Sequence, residues 1–78
     1  MNAPSPLRKL GGMIQRLRAA AGWTPERLAA AARIETETLA AIETGRRDPD
    51  YLTLLRIARA LDAPVAALLA AMDEDGEA

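Results

Sequence analysis

An alanine-rich chain without phenylalanine, its β-branched residues scattered rather than alternating, favours helix throughout, and what decides its fold is where the helices are cut. Ser5-Pro6 and Thr24-Pro25 each set a capping hydroxyl before a proline at the first helical position, where the missing N–H is no loss. Asp50 is a third cap, and Pro64 precedes a last apolar segment. Gly22 and Gly45 are stop signals, able to take the positive φ that ends a helix. Five short helices follow from this punctuation.

The first, from Pro6 to Gly22, carries Leu7, Leu10, Ile14, Leu17 and Ala21 on one face. Its Gly11-Gly12 pair weakens the first turns, so a later start than the Ser5 cap suggests is expected. The second spans Pro25 to about Ala32, with Trp23 placed to pack on Leu28 as a hydrophobic staple. The third begins near Glu35 or Thr36, ends before Gly45 and faces Leu39 and Ile42 inward. The fourth, Tyr51 to Leu61, has Tyr51, Leu54, Ile57, Ala58 and Leu61 as its main buried stripe, and the last presents Val65, Leu68, Leu69 and Met72. Helices this short pack as an orthogonal all-α bundle rather than an up-down one. Residues 1–5 are expected to be a flexible start, 6–72 one domain and 73–78 a frayed acidic tail.

The chain has no Cys and no His, which excludes disulfides, thiolate or imidazole metal sites and Ser/His or Cys/His nucleophile pairs. No cofactor, metal or enzymatic activity is expected. Apolar runs fall short of the roughly 20 residues of a membrane helix, and "MNAPSPLRKLGG" lacks an apolar signal core, so the expectation is a soluble cytoplasmic protein that does not use a membrane. The net charge of −1 conceals an asymmetry, because residues 1–72 hold ten basic and seven acidic side chains, net +3. That is mildly compatible with a polyanionic partner.

The second and third helices are separated by about three residues, the spacing of a helix-turn-helix over about residues 25–44. "LRAAAGWTPERLAAAARIETETLAAIETGRRDPDYLTLLRIARALDAPVAALL" resembles the Cro and phage-repressor type of helix-turn-helix domain, which includes many xenobiotic-response-type regulators. The matching pieces are Leu17-Arg18 before Gly22, Leu28-Ala29, "IETG", Pro49 and "LLRIARALDAP". Ala29 lies where the second helix crosses the third, and a small side chain there allows close approach. The resemblance implies a lambda-repressor-like five-helix bundle and an ion pair between Arg18 and Glu43. A glutamate near a helix C-terminus opposes the macrodipole, which a cationic partner offsets.

By the same resemblance the DNA-facing positions are Glu35, Thr36, Glu37, Thr38 and Ala41 on the third helix, with Thr44, Arg46 and Arg47 reaching the backbone beyond it. Glu37 can only accept, which makes the cytosine amino group its base partner; Thr36 and Thr38 suit a phosphate, a base edge or a thymine methyl, and Ala41 a methyl. For Glu35 the greater weight lies with stabilising the helix start. Two positions depart from the family pattern. Pro25 stands where a phosphate-binding glutamine is common, leaving Thr24 and the N–H groups of Glu26 and Arg27 for that role, and Arg33 replaces the turn glycine, implying an altered or strained turn and one more phosphate contact.

Leu52, Leu55, Val65, Leu68, Leu69 and Met72 exceed what one small core can cover, and are expected to form a two-fold homodimer interface. The functional expectation is a sequence-specific transcriptional regulator, a small dimeric repressor or controller protein, on double-stranded DNA with a pseudo-palindromic operator. The alternative is a module that keeps the fold but binds a protein partner, as an antitoxin or anti-repressor would. Pro25, Glu35 and Glu37 favour it, each removing or opposing a phosphate contact.

Overall fold

A computed structural model describes residues 5–73. The described residues form α1 (Pro6–Ala20), α2 (Pro25–Ala32), α3 (Thr36–Glu43), α4 (Tyr51–Ala60) and α5 (Val65–Met72), with no strand among them. The expectations for 1–4 and 74–78 lie outside the described residues.

Three of the five starts are capped by side chains. Ser5 Oγ accepts from the Arg8 N–H at 3.2 Å, Thr24 Oγ1 from the Arg27 N–H at 3.1 Å, and Asp50 Oδ1 from the Thr53 N–H at 2.8 Å. The stops of α1 to α4 share one geometry. Gly22, Arg33, Gly45 and Asp62 all adopt positive φ, and the residue after each donates back to a carbonyl five positions earlier, Trp23 to Arg18, Ile34 to Ala29, Arg46 to Ala41 and Ala63 to Ala58. Two of these four positions are not glycine. Arg33, at φ 62° and ψ 45°, therefore carries strain that a glycine would not.

α1 packs against α5 and α3, and α2 against α4 and α3, around Leu10, Ile14, Leu28, Leu39, Ile42, Leu54, Ile57 and Leu68. Ala29 and Ala32 bring α2 close to its neighbours, and Trp23 covers the edge of the core with Leu17 and Ile34.

Three expectations are corrected. α1 starts at Pro6 despite its glycines. Gly11 is buried where α1 crosses the end of α3, and any Cβ there would collide with the Ile42 and Glu43 carbonyl oxygens, so this glycine allows a helix contact as well as costing entropy. Tyr51, placed on the buried stripe of α4, is 61% exposed. At about 100° per residue it lies roughly 70° from the centre of the Leu54, Ile57 and Ala58 set, at the margin of the stripe. Leu68, expected at a dimer interface, is fully buried, because α5 turns Leu68 and Ala71 into the core. Val65 and Met72 flank them, half-buried against the same core, so of the α5 set only Leu69 points outward, 40% exposed.

Candidate nucleic-acid interface

α2 and α3, eight residues each, are held by their shared apolar contacts and by one buried ion pair. Arg18 Nε donates to Glu43 Oε2 at 2.7 Å and Nη2 to Oε1 at 3.1 Å, while Nη1 donates to the Trp23 carbonyl at 3.0 Å. One guanidinium thus joins α1, the turn before α2 and the last turn of α3. The Glu43 hydrogen bond raises the Arg18 pKa above its ordinary value, so the guanidinium stays charged at any physiological pH.

With Leu39, Ile42 and Glu43 turned inward, the opposite side of α3 exposes Glu37, Ala40 and Thr44, with Ala41 half-buried beside them. Ala40, exposed one turn beyond Glu37, was not among the positions that the family resemblance gave. Thr36 and Thr38 are half-buried at the flanks, so they border this face rather than centre it. Glu35 is the N-cap residue but makes no side-chain cap hydrogen bond, which leaves its charge alone to act on the helix start. Glu37 lies in the first turn, exposed.

Beyond α3 the side chains of Thr44 and Arg46 are linked. Thr44 Oγ1 donates to the Ala40 carbonyl at 2.8 Å and lies 3.3 Å from that of Ala41, and it accepts from Arg46 Nε at 3.0 Å. The Arg46 backbone N–H also donates to the Ala41 carbonyl, at 2.8 Å. A phosphate only accepts, and the single Thr44 proton is already given to the helix, so in this arrangement Thr44 holds Arg46 while both terminal NH2 groups of Arg46 stay available. Arg47 is exposed next to it.

On α2, the Thr24 oxygen that caps the helix keeps its own proton to donate. The Arg27 guanidinium lies over the Trp23 ring, 4.5 Å from its centroid, and stiffens that end of the motif. Arg33 lines an open groove of about 480 Å³ between α2 and α4, together with Leu52, Leu55, Arg56 and Arg59. Among the described residues no cluster of acidic side chains is arranged to hold a metal ion, and no helix is long and apolar enough to cross a membrane.

Comparison with known proteins agrees with this geometry. The structure is similar to that of the restriction-modification controller protein C.AhdI from Aeromonas hydrophila, with 31% identity, a TM-score of 0.78, and coverage of 80% of this chain and 94% of that one. It is also similar to the clp gene regulator ClgR from C. glutamicum, with 31% identity, a TM-score of 0.82, and coverage of 91% and 92%. The controller protein C.Esp1396I, at 22% identity and a TM-score of 0.78 over 94% of this chain and 91% of that one, shares the fold. Curated protein sequences gave no match. Residues 9–72 match the family described as the helix-turn-helix domain, and the chain belongs to that family.

Proposed function

We propose that this protein is a sequence-specific DNA-binding transcriptional regulator that acts as a two-fold dimer on a pseudo-palindromic operator. The observation that carries the reading is the outward face of α3, exposed Glu37 and Ala40 with half-buried Ala41 beside them, followed by Arg46 anchored through Thr44. Inserted in a major groove, that face offers Glu37 to a cytosine amino group and the two alanines to thymine methyls. Thr36 and Thr38 flank these contacts. Thr24, Arg46 and Arg47 meet phosphates, which fix register without reading sequence, whereas Arg33 lies in the groove with Leu52 and Leu55, on the side used for dimerisation. The relation to a restriction-modification controller and to a clp gene regulator supports a regulatory role in transcription.

Leu52 at 53% exposure, half-buried Leu55 and Leu69 supply the apolar surface for dimerisation. Such a dimer sets two copies of α3 about 34 Å apart, one turn of DNA. Selection from random duplexes, followed by gel shift with the recovered sequence, tests the assignment. A recovered palindrome bound well above bulk DNA supports it, and equal binding of all duplexes at low salt refutes it. Sedimentation at tens of micromolar is expected to show twice the 8.3 kDa chain mass, and a pure monomer would remove the dimer.

A further inference from the structure

Gly45 ends α3 with a φ of 76°, and its missing side chain also makes room for α1. A Cβ at this position would stand 2.6 Å from Arg8 Cγ, 2.9 Å from Arg8 Cα and 3.0 Å from Arg8 N. The first turn of α1 therefore lies directly on the loop that carries Arg46 and Arg47. Gly11, farther along the same helix, makes a comparable approach to the Ile42 and Glu43 carbonyls. These two contacts fix the register of α1 on the end of α3, and with it the place of Arg8 relative to the loop.

Arg8, Arg46 and Arg47 are all exposed; their acidic neighbours are Asp48, which follows Arg47 in the chain, and the capping Asp50, which interacts electrostatically with Arg47. We propose that Arg8 is a third DNA-backbone contact, a phosphate-binding arginine supplied by α1 from outside the helix-turn-helix. The inference rests on the DNA-binding reading above. Backbone phosphates are the fitting ligand, because repeated monoanions along a strand suit exposed arginines whose backbones converge, Arg8 against Gly45 with Arg46 and Arg47 following it, and each contact formed releases condensed counterions.

The test uses the full chain and its selected duplex, with affinity measured by fluorescence anisotropy from 50 to 200 mM salt (on the order of the range over which such slopes are read). Arg8→Gln keeps the Arg8 N–H that donates to Ser5, so thermal unfolding should stay as in the parent protein. Affinity should fall several-fold, and the slope of log K against log salt should shrink by about 0.9, the value for one phosphate. Arg8→Lys should keep the slope. If Arg8→Gln leaves affinity and slope unchanged while Arg46→Gln or Arg47→Gln reduces them, the Arg8 assignment is wrong and the DNA reading stands. A weaker Arg8→Gln complex with an unreduced slope also overturns it. If the parent protein prefers no duplex, the failure belongs to the DNA reading itself.

Discussion

Replacing Arg18 with methionine should cost about 3–5 kcal/mol of stability, the usual penalty for leaving one member of a buried ion pair unpaired. Glu43 is 8% exposed, and both its carboxylate oxygens accept from Arg18. Methionine fills similar volume but donates nothing, so the carboxylate is left enclosed and the Trp23 carbonyl loses its bond as well. For a chain of 78 residues at about 0.05–0.15 kcal/mol each, total stability is on the order of 4–12 kcal/mol, so roughly a quarter or more would be lost. The midpoint of thermal unfolding should fall by at least about 12 °C. Trp23, the single tryptophan, sits at this junction and makes urea unfolding readable by fluorescence. The double variant Arg18→Met with Glu43→Leu should recover most of the loss, ending within about 2 kcal/mol of the parent, because apolar replacement of both partners is often neutral. A loss below about 1 kcal/mol for Arg18→Met, or a double variant no more stable than the single, would mean that an unpaired Glu43 is not what destabilises the fold.

Arg33→Gly relieves the left-handed backbone of the turn and should raise stability by about 0.5–1 kcal/mol, net of glycine's entropy, in urea unfolding; a loss would mean the side chain contributes more than the strain costs. Thr44→Val frees Arg46, so DNA affinity should drop two- to several-fold (roughly the worth of one exposed hydrogen bond) with an unchanged salt slope, and Thr44→Ser should restore it in the same anisotropy titration. Asp50 accepts from the Thr53 side chain and backbone, which holds its carboxyl below the ordinary carboxylate range. Its contribution to stability is therefore full above the unfolded pKa of about 3.9 and is lost as pH falls through the lower folded value. Asp50→Asn should flatten that part of the stability-pH curve below about pH 4, measured by thermal melts at stepped pH.

The helix boundaries could be read in the sequence because local chemistry sets them: a hydroxyl or carboxylate before a start, proline at the first position, glycine past the end. Arg33 and Asp62 mark the limit of that signal, since both take the left-handed stop without being glycine. Which face is buried could be read only where polar residues mark the other side. α4 has Arg56 and Arg59 outward and its stripe was recovered apart from marginal Tyr51, whereas α5, Val65–Met72, is apolar all round and gives no such mark, so Leu68 could not be told from Leu69. The outward face of α3 was largely legible through its family resemblance and the inward pull of Leu39 and Ile42. Arg8 was not, because its place beside Arg46 and Arg47 depends on how α1 crosses α3, a contact made by glycines that leave no periodic signal.

DNA reading by α3 is tested most directly by comparing the operator selected by Glu37→Gln with that selected by the parent protein. The parent should recover cytosine at one position in each half-site. The variant should move that position to adenine, whose N6 and N7 a glutamine amide meets, by a discrimination of about 1–3 kcal/mol, with the other positions unchanged. Identical operators from both proteins, or no enriched sequence from either, would contradict the claim that this face of α3 reads DNA.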